Sequence, residues 1–107
     1  MTDLYDAMTE ADLQSCVMDV CRSLHLLVYH THDSRRSAAG FPDLVIVGRR
    51  LIVRELKTTR GKTTTDQDRW LAGLREAGVD AAVWRPSDWR EGNVLRQLRA
   101  LQRRGAT

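Results

Sequence analysis

Leu13, Val17, Val20, Cys21 and Leu24 recur at helical spacing, and Thr9-Glu10-Ala11-Asp12 stands before them as a capping sequence. This pattern predicts a first helix over about residues 10 to 24. Leu26-Leu27-Val28-Tyr29-His30 is a short β-prone run, and the polar stretch His32-Asp33-Ser34-Arg35-Arg36-Ser37 after it reads as a basic loop. Two nearly continuous apolar runs, Leu44 to Val47 and Leu51 to Val53, flank Gly48-Arg49-Arg50 and predict a hairpin buried on both faces. Thr64 or Thr65 then caps a second helix with Gln67, Trp70, Leu71 and Leu74 on one face, and Gly78 ends it. Asp80 to Arg85 is a last strand stopped by Pro86. Ser87 opens a final helix with an apolar side of Val94, Leu95, Leu98 and Leu101 and a basic flank of Arg96, Arg99, Arg103 and Arg104. The order α-β-β-β-α-β-α predicts an α/β fold (α+β, mixed sheet) with helices covering the sheet.

A chain of 107 residues and 12.2 kDa sustains one hydrophobic core, so residues 1–107 are expected to form a single domain with one active site. The acidic start MTDLYDAMTE has no apolar segment of the signal-peptide kind, and no run reaches the roughly 18 apolar residues of a membrane span. A cytoplasmic setting is the expectation. Cys16 and Cys21 lie on different faces of one helix, which excludes a disulfide between them, and no paired Cys or His spacing suggests structural zinc. Lys57 and Lys62 are the only lysines among 17 basic residues, all others being arginine, and the pI is about 9.3. Arginine's planar fork suits phosphate oxygens, so nucleic acid is a candidate partner beside the alternative of a merely solvated surface.

The hairpin carries charges where burial is expected. Alternation along the second arm puts Val53, Glu55 and Lys57 on one face. A turn centred on Arg49 pairs position i with position 98 minus i, so Asp43 falls opposite Glu55 on that same face. Two unpaired carboxylates in cross-strand register repel each other, and burial compounds the cost. A divalent cation removes the conflict. Oxygen-only ligands suit Mg²⁺ or Mn²⁺, and Lys57 beside them is placed to orient a water or steady negative charge. The competing explanation is a surface Glu55/Lys57 pair with Asp43 a turn residue after Pro42. Glu10, one helical turn before Leu13, projects from the apolar face, although a glutamate in a first turn also favours the helix dipole. Gln67 shares the core-facing stripe of its helix, although it can equally close a capping box with Thr64.

The ordered set Glu10, Gly40-Phe41-Pro42-Asp43-Leu44, Glu55-Leu56-Lys57-Thr58 and Gln67-x-x-Trp70-Leu71 with Leu74 and Gly78 resembles the VRR-NUC nucleases of the PD-(D/E)xK superfamily. The likeness runs from about Thr9 to Trp84-Arg85-Pro86-Ser87-Asp88. It implies a restriction-endonuclease-like core and a metal-dependent site. Asp43, Glu55 and the Leu56 backbone carbonyl would be metal ligands, Glu10 would act through metal or its water, Lys57 would be the catalytic lysine and Gln67 would support the site. One or two Mg²⁺ or Mn²⁺ ions per site are implied as cofactors.

Arg35, Arg36, Arg49, Arg50, Arg60 and Lys62 are the candidate backbone contacts. Phosphate contacts confer little sequence preference, so DNA recognition by structure rather than by sequence is expected. His30 and His32 lack a third convergent metal ligand and read as strand and loop polarity, with His32 or Ser34 a possible DNA contact. Small nucleases of this family resemble Holliday-junction resolvases, which implies a four-way junction as substrate and a homodimer to cut two strands. The alternatives are a flap, nick or single-strand nuclease, and a non-catalytic DNA-binding or assembly subunit. Trp84, Trp89 and the apolar side of the last helix are candidates for core or for a dimer interface. A phage or bacterial setting is compatible with so short a nuclease.

Overall fold

The computed structural model describes residues 4–32 and 38–103. A short 3-10 helix, Leu4–Ala7, precedes α1 (Glu10–Ser23), β1 (Leu27–His30), β2 (Leu44–Val47), β3 (Leu51–Leu56), α2 (Thr65–Glu76), β4 (Asp80–Trp84), α3 (Pro86–Arg90) and α4 (Asn93–Leu101). The four strands form one mixed sheet in the order β1-β2-β3-β4, antiparallel except for the parallel β3/β4 pair. The expected α-β-β-β-α-β-α order is present, with two differences at the ends.

The described residues begin with an extra 3-10 turn, and the expected final helix is two helices. Pro86 occupies the first turn of α3 behind Arg85, where a missing N–H costs nothing, so the residue expected to stop the strand also starts a helix. Arg85, not Ser87, is its cap. Gly92, at φ +82, then turns the chain into α4.

Polar caps define the other helix starts. Thr9 and Asp12 close a reciprocal capping box on α1, each side chain accepting the other's backbone N–H at 3.0 and 3.1 Å. Those hydrogen bonds hold the Asp12 carboxyl below its ordinary value. Thr64 and Gln67 make the same arrangement on α2.

The sheet has two unequal faces. Leu44, Ile46, Ile52 and Leu56 pack against Leu13, Val17 and Cys21 of α1 and against Val94, Leu98 and Leu101 of α4, forming the main core. Val53 on the opposite face meets Leu71 of α2 and Ala81 of β4 in a smaller cluster. Trp84 is buried in the main core with the apolar side of α4, so these residues belong to the core and not to an interface, while Leu95 stays exposed. Trp70, expected on the core-facing stripe of α2, is 36% exposed at its margin. Both cysteines are free, and burial pushes the Cys21 thiol up to about 11.

Candidate active site

The β2/β3 ladder pairs Leu44 with Arg54, Val45 with Val53, Ile46 with Ile52 and Val47 with Leu51. Each pair sums to 98, the register read from the turn residues. One step beyond the last pair, Asp43 meets the end of β3: its Oδ2 accepts the Leu56 N–H at 2.7 Å. On the other side, the Asp43 carbonyl accepts the Thr31 N–H and the Pro42 carbonyl accepts the Thr31 hydroxyl, both at 2.8 Å. Asp43 is therefore pinned between two strands, with little freedom to turn away from Glu55.

The approach to Asp43 depends on Gly40. At φ +87 it takes a conformation that favours glycine, and a Cβ there would overlap the Asp66 backbone at the start of α2. This contact brings the Phe41-Pro42-Asp43 segment against the helix that carries Gln67.

Glu55 is 2% exposed and faces the same side as Asp43, toward α2. Its Oε2 accepts the Gln67 side-chain N–H at 2.8 Å and lies 3.5 Å from the Lys57 Nζ, which is itself buried. Gln67 uses its other amide atom, Oε1, to accept the Thr64 N–H at 2.9 Å. The two readings open for Gln67 are thus both realised, because a planar amide accepts on one atom and donates from the other.

Burial, then the neighbouring Asp43 carboxylate, push the Glu55 carboxyl up from 4.5 to about 8, against the opposing pull of Lys57. Glu55 Oε1 is buried and has no hydrogen-bond partner. An unpartnered buried carboxylate oxygen beside a second carboxylate fits a hard cation, which would satisfy the orphaned atom and offset the repulsion. Among the described residues no group of three or more His, Cys, Asp or Glu side chains gathers to hold a metal. In an extended strand the N–H and C=O of one residue point to the same flank, so the Leu56 carbonyl shares the Asp43 side with its N–H. Asp43, Glu55 and that carbonyl are the residues that could hold Mg²⁺ or Mn²⁺ by oxygen alone.

Glu10 does not join this group. It is the first residue of α1, exposed, and without a hydrogen bond or ion pair to any described residue. The reason is the side α1 occupies: the helix covers the Leu44/Ile46/Ile52/Leu56 face, whereas Asp43 and Glu55 look toward α2. Its apolar stripe begins only at Leu13, leaving Glu10 beyond the packed stretch.

The candidate DNA contacts separate into three groups. Arg35 and Arg36, with Ser34, lie outside the described residues. Arg60 and Lys62 lie in the loop that follows Lys57, at the carboxylate end. Arg49 and Arg50 lie at the hairpin turn, six and five residues from Glu55 along the β3 arm and so roughly 16–20 Å away. Arg50 is engaged with Asp80 at 2.8 Å.

Two arginines with structural consequences were not singled out by sequence reasoning. Arg85 donates from Nη1 to the Thr58 and Gly61 carbonyls at 2.7 and 2.6 Å, clasping the loop after Lys57. Arg54, 3% exposed, reaches the Asp80 carboxylate at 3.0 Å and Gln97 Oε1 at 3.0 Å, with its guanidinium 5.0 Å from the Trp84 ring centre. Strand parity, which puts Arg54 between Ile52 and Leu56, was the available signal for its burial.

Residues 4–88 match the VRR-NUC domain family. A solved structure described as a VRR_NUC domain protein superposes with a TM-score of 0.67 at 22% identity, covering 87% of this chain and 89% of that one. At that identity the likeness speaks for the fold. No curated protein matches the chain.

Proposed function

The chain belongs to the VRR-NUC family of nucleases, and from that premise we propose that it is a metal-dependent, structure-selective DNA endonuclease whose active site is Asp43, Glu55, Lys57 and Gln67. The observation that carries this reading is the buried, unpartnered Oε1 of Glu55 in register with Asp43. Such a pair is costly to keep in a domain that only binds, since a carboxylate whose ionisation is opposed by burial and by its neighbour weakens the fold.

Mg²⁺ or Mn²⁺ held by Asp43, Glu55 and the Leu56 carbonyl would supply a Lewis acid for the scissile phosphate and make a bound water more acidic. The residues of the chain supply orientation and charge. Gln67 fixes the Glu55 carboxylate by donating to Oε2, leaving the buried Oε1 free of a partner. The Lys57 ammonium, 3.5 Å from Oε2, is positioned to orient an attacking water by donating to its oxygen, and to steady negative charge growing on the phosphate. Arg85 keeps the following loop, with Arg60 and Lys62, beside that site.

The substrate proposed is a four-way DNA junction, cut symmetrically by a homodimer, because one site per chain cannot cleave two strands at once. Phosphate contacts from Arg60 and Lys62 near the site, and from Arg49 and Arg50 roughly 16–20 Å along the hairpin, are spread widely enough to follow a branched backbone.

Cleavage of a labelled four-way junction, beside matched duplex, flap and single-strand controls, tests this with Mg²⁺, Mn²⁺ or EDTA. Paired symmetric cuts that disappear with chelator, with Lys57→Ala and with Asp43→Asn are expected. Binding without cutting under every metal condition would replace the nuclease with a binding module, and cutting confined to flaps or single strands would replace the junction.

A further inference from the structure

The flank of α2 beside its Gln67 stripe borders a cavity of about 570 Å³, within the range of roughly 300–1,000 Å³ typical of ligand clefts. Trp70 forms one wall and Ala39, Gly73, Leu74 and Ala77 line the rest, with Asp66 and Arg69 also contributing. The Trp70 ring is held edge-on by Phe41, centroids 5.1 Å apart at 80°, while remaining 36% exposed. Both rings belong to segments that position the carboxylates: Phe41 lies two residues before Asp43, and Trp70 is one helical turn after Gln67. Gly73 is unexplained by the fold. It lies inside a helix, where glycine is unfavourable, and a Cβ there would meet nothing within 4 Å. What its missing side chain does leave is open space in the cavity.

We propose that this cavity receives an unpaired nucleobase from the DNA substrate, stacked on Trp70, and so contributes the selectivity for branched over continuous duplex; this rests on the nuclease reading. An aromatic face held by a second ring is a stacking platform for any base, and the Asp66 carboxylate can accept from the exocyclic amino group of cytosine or adenine. Arg69, 80% exposed and 3.6 Å from Asp66, can meet the phosphate of the extruded nucleotide. In a continuous duplex every base is stacked and the platform stays empty. Near a branch point, bases are more easily unstacked.

Anisotropy titrations in EDTA compare three labelled duplexes: one with a bulged cytosine, one with an abasic bulge at the same position and one without a bulge. Wild type is expected to favour the cytosine over the abasic bulge by roughly 5- to 150-fold, the range that base–aromatic stacking supports. Trp70→Ala is expected to bring that ratio to about one. Gly73→Leu should do the same by filling the cavity, and its melting temperature, unchanged or higher, guards against misfolding. Equal wild-type affinity for the two bulges, or a preference that survives Gly73→Leu, overturns the inference. So does a change from dimer to monomer in sedimentation of either variant, which would assign the cavity to a second copy of the chain. If DNA is bound and cut with Mg²⁺ but the base preference is absent, this inference fails alone; if no DNA is bound or cut, the nuclease reading fails beneath it.

Discussion

Replacing Glu55 by glutamine should make the metal-free protein more stable at alkaline pH while abolishing cleavage. The wild-type carboxyl is raised from 4.5 to about 8 in the fold, so the folded state holds a proton that the unfolded state has released. Stability therefore declines as pH rises from about 4.5 and levels off above about 8, where both states are ionised. A displacement of this size corresponds to a loss on the order of 5 kcal/mol across that window, a large part of a small domain's stability. Other shifted groups act elsewhere. Asp12 and Asp80, held low, contribute stability that is lost only as pH falls below their ordinary 3.8, and Cys21, held high at about 11, matters only in alkali above about 9. Glutamine at position 55 can still accept from Gln67 and can donate to Asp43, so its stability should vary far less between pH 5 and 8. Urea unfolding in EDTA at intervals from pH 5 to 9, followed by circular dichroism, measures the two curves. Parallel curves for wild type and Glu55→Gln would refute the assignment of a proton to Glu55. Adding Mn²⁺ at pH 8.5 should recover stability in wild type and not in the variant, since a ligand that binds only the folded state stabilises it by mass action.

Gln67→Glu can keep the cap on Thr64 but replaces a donor to Glu55 with a like charge, so junction cleavage should fall by about 100-fold or more; Gln67→Ala should in addition cost about 1–2 kcal/mol in urea unfolding. Arg85→Ala frees the Thr58 and Gly61 carbonyls, and hydrogen exchange should quicken in residues 58–62 with cleavage falling roughly ten-fold, an order set by misplacement of groups beside the site. Arg54→Met should destabilise the fold by about 1–3 kcal/mol in neutral urea titrations, because the Asp80 main-chain carbonyl loses its guanidinium partner; a loss below about 0.5 kcal/mol would show that Arg54 contributes little.

Local periodicity carried much of this architecture. Helical spacing of Leu13, Val17 and Cys21, the caps at Thr9 and Thr64, and the two apolar arms around Gly48-Arg49-Arg50 are each decided within one element, where side-chain direction follows from backbone period. For the same reason the register that brings Asp43 opposite Glu55 was legible from the turn alone, and the family likeness lies in residues of those elements. Tertiary structure decided what no single element contains. Which face of the sheet α1 covers determines that Glu10 stays apart from the carboxylate pair, and the crossing of α2 over β3 lets one Gln67 amide serve both cap and Glu55. Parallel docking of β4 seals β3 on its second edge and buries Arg54 beside Trp84, while α2 lies over the face on which Glu55 Oε1 is buried without a partner among the described residues. Burial and its cost depend on every neighbour at once, which is why the charged residues could be placed on a face from sequence while their desolvation, and the raised Glu55 carboxyl that follows from it, belong to the assembled fold.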